Sequence, residues 1–174
     1  MTQPLDTVRQ LAYVTRDLEA AIKYWVDVLH VGPFFLIEHI TLENQRYRGT
    51  PSNTDLSIAL GNSGDVQIEL MMQHNDEPSV YKEFLDAGRV GLHHFGIMPP
   101  DYRATYTQYK ALGHEPAFEL TVGEAHVVYF DTVQAIGHFT ELWENSDTIN
   151  QMFLTVENAA KNWDGKDPVR PANF

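Results

Sequence analysis

The chain has 174 residues, 43% of them hydrophobic, enough to bury a sizeable core in one domain or in two small fused halves. A formal net charge of -12, with no cluster of Lys and Arg, opposes nucleic acid and anionic lipid and leaves small molecules as the expected partners. The absence of cysteine excludes disulfides, thiolate nucleophiles and iron-sulfur clusters, so any metal must be held by His, carboxylate or amide groups.

Met1 to Asp6 shows no signal-peptide pattern, and no apolar run approaches the roughly 18 residues of a membrane span, which points to the cytoplasm. Gln10 to Asp17 alternates like a strand and ends on a helix-capping Asp. A helix follows, with Leu18, Ala21, Ile22, Trp25, Val28 and Leu29 on its apolar face and Gly32-Pro33 as its stop. Short strands are expected at Phe34 to Thr41, Leu56 to Gly61 and Val66 to Met72. A linker from His74 to Gly91 contains a helix over Ser79 to Ala87.

His94 to Asp101 then repeats the opening strand in length and ending, and Tyr102, Thr105, Tyr106, Tyr109 and Leu112 mark a second helix that stops at Gly113 and Pro116. Strands at Ala117 to Val122, His126 to Thr132 and Gly137 to Glu144 complete the second set. A last helix from about Asp147 to Lys161, capped by Ser146, places Ile149, Met152, Phe153 and Val156 on one face, and the chain from Asp167 reads as frayed. The order is βαβββ twice. It predicts an α+β fold in one domain over 1–174, with modules at 8–73 and 92–145 forming a concave mixed sheet, a helical linker at 74–91, and an extra C-terminal helix and tail at 146–174.

The last strand of each module carries the same pair, Glu69-Leu70 and Glu141-Leu142. Residues two apart on a strand share a face, so Gln10 lies with Ala12 and Val14, His94 with Gly96 and Met98, Glu69 with Gln67 and Met71, and Glu141 with Phe139 and Trp143. His93 falls on the opposite face by the same rule. If the modules pair about a pseudo-twofold axis, Gln10, Glu69, His94 and Glu141 face one point. Two carboxylates, an imidazole and an amide oxygen suit a borderline or hard divalent ion, with positions left for water or substrate oxygens. Glu141, between aromatic residues whose partial desolvation raises its basicity, is the candidate base.

The strand-Asp-Leu-helix opening, His94-Phe-Gly-Ile and the two Glu-Leu strands, in this order, make residues 8–145 resemble the vicinal oxygen chelate superfamily. That group includes glyoxalase I, methylmalonyl-CoA epimerase, extradiol dioxygenases and bleomycin-resistance proteins. The resemblance implies the glyoxalase/bleomycin-resistance fold. Carried over residue by residue, the family's metal ligands fall on Gln10, Glu69, His94 and Glu141, a set similar to that of some glyoxalase I enzymes, for one ion of Zn, Ni, Co, Mn or Fe. Glu69 and Glu141 would then flank the substrate carbon as a catalytic pair, one giving and one taking a proton. The implied activity is that of an isomerase, epimerase or lyase, working through a metal-bound enediolate or enolate of a small carbonyl or acyl-CoA substrate. A homodimer is implied as well.

Ordinary readings stand beside these. Strand glutamates are mostly exposed, so Glu69 and Glu141 also fit the solvent side of a sheet. A lone strand histidine is more often packed than ligating. Against this, four metal-capable groups occupy matching positions of two repeats. Gln67, Met71, Phe139 and Trp143 are candidate pocket residues, with His39 and His126 as further ones. Tyr47 and Arg48, in a polar stretch between two strands, either hold a substrate anion or form a solvated loop, and Trp25 is core. Two other classes remain open. A metal-free binding protein of the bleomycin-resistance type would not need the ligands, and an extradiol-type dioxygenase would hold Fe(II) with two histidines and a carboxylate, which Gln10 opposes.

Overall fold

The computed structural model describes residues 4–173. In chain order its elements are β1 (Val8–Val14), α1 (Leu18–Asp27), β2 (Phe34–Ile40), β3 (Glu43–Tyr47), β4 (Thr50–Pro51), β5 (Leu56–Ser63), β6 (Val66–Gln73), α2 (Val80–Asp86), β7 (Gly91–Ile97), α3 (Tyr102–Ala111), β8 (Pro116–Val122), β9 (Ala125–Phe130), α4 (Val133–Ile136), β10 (Phe139–Trp143), α5 (Asp147–Ala160) and β11 (Val169–Pro171). Helices α1, α2, α3 and α5 start at side-chain caps. Asp17 Oδ1 accepts from the Ala20 N–H at 2.9 Å and Asp101 Oδ1 from the Ala104 N–H at 2.9 Å, the same device after the first strand of each half. Because α1 ends at Asp27, Val28 and Leu29 leave its apolar face and are 54% and 45% exposed, contrary to the sequence reading.

The fold is a mixed α+β arrangement around one curved sheet, ordered β11-β2-β5-β6-β1-β7-β10-β9-β8-β3-β4. β1 runs parallel to β6, β7 runs parallel to β10, and β1 and β7 join antiparallel at the centre. Strand alternation separates two packed faces. Ile58, Leu60, Met71, Val127, Tyr129 and Trp143 turn inward, where α2 and α5 cover them. Ala59, Ile68 and Leu70 turn outward under α1, and Val128, Phe130 and Leu142 turn outward under α3.

Two segments differ from the sequence reading. The polar stretch holding Tyr47 and Arg48 is not a loop but the hairpin β3–β4, and β3 pairs with β8 through Arg46↔Glu119 and Tyr47↔Phe118. Only Thr41 and Leu42 separate β2 from β3, a reach of about 11 Å between Ile40 and Glu43. These strands stand eight places apart in the sheet order, which in a flat sheet would be about 38 Å. The sheet must therefore curl until its ends approach, and that curl encloses the inner face. The tail is also ordered: Val169–Pro171 adds as β11 alongside the edge strand β2, with the Phe34 N–H donating to Pro168 O at 2.8 Å. No helix among the described residues is long and apolar enough to cross a membrane.

Candidate metal centre

The sheet register places the two halves in equivalent positions. On β1 and β6, Ala12 stands opposite Glu69 with Gln10 two residues earlier; on β7 and β10, Gly96 stands opposite Glu141 with His94 two residues earlier. The central pair then sets Gln10 against Gly96 and Ala12 against His94. Each long polar side chain thus faces a small residue across the ladder, which leaves room for all of them to turn inward. At Gly96 the room is fully used, since a Cβ there would lie 2.9 Å from both Cβ and Oε1 of Gln10 and 3.3 Å from Glu141 Oε2. Glu69 is 4% exposed, and Gln10, His94 and Glu141 are 0% exposed, so the solvent-facing reading of the two glutamates fails.

Their inner atoms converge without satisfying one another. His94 Nε2 lies 3.3 Å from Glu141 Oε2 and 3.4 Å from Glu69 Oε2. Yet Gln10 Oε1, Glu69 Oε2, His94 Nε2 and Glu141 Oε1 are buried with no hydrogen-bond partner among the described residues. Buried polar atoms are rarely left so. With bonds of about 2.1 Å to a divalent ion, ligand atoms sit about 3.0 Å apart at right angles and about 3.4 Å apart at tetrahedral angles, so the two spacings from His94 Nε2 fit. Burial pulls the His94 imidazole down, but the carboxylates of Glu141 and Glu69 outweigh it and push it up to about 9. Burial raises the Glu69 carboxyl, against the pull of His94.

A surrounding layer holds these groups in place. The Gln10 amide nitrogen donates to Gln67 Oε1 at 2.9 Å, so the amide oxygen is the atom left facing the centre. The Trp143 indole N–H donates to Glu141 Oε2 at 2.5 Å, and the Tyr81 hydroxyl donates to that of Tyr129 at 2.9 Å. His93 Nε2 meets the Val80 carbonyl at 3.1 Å and its Nδ1 meets His94 Nδ1 at 2.9 Å. A carbonyl only accepts, so His93 Nε2 carries its hydrogen; burial holds the ring well below the usual histidine range and neutral, which leaves Nδ1 bare. His94 must then donate from Nδ1, and in its neutral form presents a bare Nε2 to the two carboxylates. This is the tautomer that a metal requires.

The sequence reading sent His93 to the other face of β7. The register instead steps from Ala12↔His94 to Tyr13↔Leu92, so His93 sits in a bulge, and a bulge re-aims its side chain. Nothing in the alternation of residues announces that extra residue. Of the expected pocket residues, Met71 and Trp143 line a cavity of about 70 Å³ above the cluster, Gln67 acts through Gln10, and Phe139 packs against His93 with ring centroids 5.0 Å apart. Tyr129, which the sequence reading passed over, stands opposite Glu141 on β9 and lines the cavity. Arg48 is engaged by Glu83 and Asp131, and the Tyr47 hydroxyl by Glu83, so the pair clasps β3 to its neighbours. His126 stacks on Tyr102 outside the cavity.

His39 lies elsewhere, at a second bulge where its φ is 52°. Its Nδ1 is 2.9 Å from Asp55 Oδ2, its ring stacks on His74 at 4.1 Å, and Ser57 Oγ is 2.7 Å from His74 Nε2. The ligand atoms of His39, Asp55 and His74 lie within 4.8 Å of one another, a spacing that could hold a metal ion, and the same groups are joined by hydrogen bonds. A larger open groove of about 510 Å³ lies on the outer face between α1 and the tail, lined by Leu18, Ile22, Leu36 and Val169, and holds none of the converging groups.

The model of the Glyoxalase/Bleomycin resistance protein/Dioxygenase superfamily matches residues 9–130. No curated protein sequence matches the chain. Among solved structures, a hypothetical protein from Bacillus halodurans superposes with a TM-score of 0.58 at 17% identity, over 81% of this chain and 95% of that one. Methylmalonyl-CoA epimerase from Mycobacterium tuberculosis gives 0.57 at 17% identity, over 87% and 95%. A Streptomyces coelicolor methylmalonyl-CoA epimerase in complex with 2-nitronate-propionyl-CoA gives 0.53 at 15% identity, over 83% and 97%.

Proposed function

The chain belongs to the Glyoxalase/Bleomycin resistance protein/Dioxygenase superfamily, and from that premise we propose that it is a metal-dependent isomerase, epimerase or lyase acting by proton transfer next to a carbonyl. The observation that carries this reading is that Gln10 Oε1, Glu69 Oε2, His94 Nε2 and Glu141 Oε1 are all buried and unpartnered among the described residues, with His94 Nε2 3.3 Å from Glu141 Oε2 and 3.4 Å from Glu69 Oε2. Those residues would hold the ion. Bound there, a divalent metal supplies Lewis-acid chemistry, stabilising negative charge that develops on a substrate oxygen.

The chain's own residues do the rest. Gln67 keeps the Gln10 amide oxygen inward, and His93 keeps the His94 Nε2 bare. Trp143 fixes Glu141, which takes the proton from the carbon alpha to the carbonyl. Glu69, at the matching position of the other half, is suited to return a proton to the neighbouring carbon or to the opposite face. The walls above the cluster keep water from competing for either step. Similar folds occur in methylmalonyl-CoA epimerases, one bound to 2-nitronate-propionyl-CoA, which supports a carbonyl or thioester substrate class.

Metal content of protein purified without added metal or an affinity tag tests the reading, beside Glu141→Gln and His94→Ala. About one ion per chain, lost in both variants, is expected. If folded protein takes up none of Zn, Ni, Co, Mn or Fe(II), the enzyme reading falls and a metal-free binding protein replaces it.

A further inference from the structure

Away from the central cluster, the outer part of the first half gathers a second set of metal-capable groups. Strands β2, β5 and β6 are neighbours in the sheet, and their ends bring together His39 on β2, Asp55 immediately before β5 and His74 immediately after β6. Each offers one ligand atom, and the three atoms lie within 4.8 Å of one another. His39 Nδ1 is already 2.9 Å from Asp55 Oδ2. Two ligands bound at about 2.1 Å to one ion stand about 3.0 Å apart at right angles and about 4.2 Å apart in line, so the set is only slightly wider than a coordination sphere.

The backbone holds this arrangement. The His74 N–H donates to the Asp55 carbonyl at 2.9 Å and the Asp55 N–H donates to Asn75 Oδ1 at 3.2 Å, which fixes two of the three donors across the β5–β6 ladder. His39 arrives through the bulge in β2, where a φ of 52° takes it out of the regular alternation at a cost that its surroundings must offset. There its N–H donates to Ser57 Oγ at 3.3 Å, and Ser57 Oγ lies 2.7 Å from His74 Nε2. The His39 side chain is 64% exposed, so its imidazole has room to turn out of the stack on His74 and aim a lone pair at a shared ion.

We propose that His39, Asp55 and His74 form a second divalent-ion site, separate from the central cluster and independent of its chemistry. Two imidazoles and one carboxylate favour a borderline ion such as Zn, Co or Ni over Mg or Ca, which take mainly oxygen ligands. Three protein donors leave a position for water or a ligand atom. Because His74 and Ser57 also line the outer groove of about 510 Å³, the ion sits at the rim of that groove. The two sites differ in kind. The central donors are buried and unpartnered among the described residues, whereas His39 and His74 are exposed and already hydrogen-bonded, so an ion here displaces existing bonds and binds the more weakly of the two.

Calorimetric titration with Zn tests this on metal-stripped protein. The variants are His74→Ala, Asp55→Asn and His39→Asn, the last because asparagine accepts the left-handed backbone at that position. His126→Ala serves as a control for adventitious binding by an exposed histidine elsewhere. The wild type is expected to take up one equivalent more than His39→Asn or His74→Ala, and Asp55→Asn to bind that equivalent at least about tenfold more weakly. Thermal midpoints without metal should match the wild type, since the exposed imidazoles bury little surface. The readout is a difference of one equivalent, so it does not depend on the central cluster: His94→Ala should keep the equivalent that His39→Asn loses. A wild type that binds a single ion, lost in His39→Asn and kept in His94→Ala, supports this site while the central reading fails. Equal stoichiometry in the wild type, His39→Asn and His74→Ala, or an equal loss in His126→Ala, overturns the proposal.

Discussion

At Gly96, in the middle of the central strand pair, a single methyl group decides whether the site can form. An added Cβ would meet Gln10 at 2.9 Å, so Gly96→Ala is expected to push the Gln10 amide aside, lower stability by about 1–3 kcal/mol and weaken metal binding more than it weakens the fold. Metal titration beside thermal unfolding separates the two effects. His93 makes a second residue-scale test: His93→Phe keeps the volume but removes the acceptor for His94 Nδ1, so metal affinity should fall by about 10- to 100-fold. His93→Gln, which restores an acceptor, should recover part of it; equal affinity in all three proteins would mean that His93 only fills space. The third test is pH. His94 has a folded pKa of about 9 against an unfolded value of 6.5, so between about pH 7 and 9 the folded form binds more protons. Metal-stripped protein should therefore lose stability as pH rises through this window, and metal-loaded protein should not, because the ion occupies Nε2. Thermal midpoints at pH 7, 8 and 9, with and without chelator, give the comparison.

At the scale of elements, α5 and the β3–β4 hairpin enclose the inner face, and both act through ordinary local chemistry. Ser146 Oγ accepts the Ile149 N–H at 3.2 Å, and Ile149 is fully buried. Removing this cap in Ser146→Ala should cost about 1 kcal/mol and lower the thermal midpoint by about 2–4 °C. It should also make Trp143 easier to quench by acrylamide, because the start of α5 loosens above it; an unchanged quenching constant would argue that α5 does not cover the cavity. The hairpin was hidden from sequence reading because its strands carry few apolar residues. Its polar groups are satisfied locally: Gln45 donates to Leu42 O at 2.8 Å and accepts from the Thr54 N–H at 2.9 Å, so a polar strand costs little. The helices, in contrast, were legible, since Asp17, Asp101 and Ser146 each announce a start by a side chain that reaches its own backbone.

Across the whole molecule, the β1–β7 ladder and the β3–β8 pair tie the two halves together at the centre and at the curled edge of the sheet. Unfolding should then be cooperative across both. Phe130→Ala, a core truncation in the second half worth about 3–5 kcal/mol, should raise hydrogen exchange in β5 and β6 along with β8 and β9. Exchange confined to the second half would mean that the halves open separately. The repeat, the α+β class and the equivalent positions of Gln10, Glu69, His94 and Glu141 could be read from the sequence, because strand alternation and helix caps are local rules with fixed periods. The inward turn of His93, the strand pairing of residues 43–51 and 169–171, and the apolar lining of the cavity were decided only in three dimensions. Each depends on a bulge, an edge or a sheet curl, and these arise from which distant strand a segment meets rather than from the residues it contains.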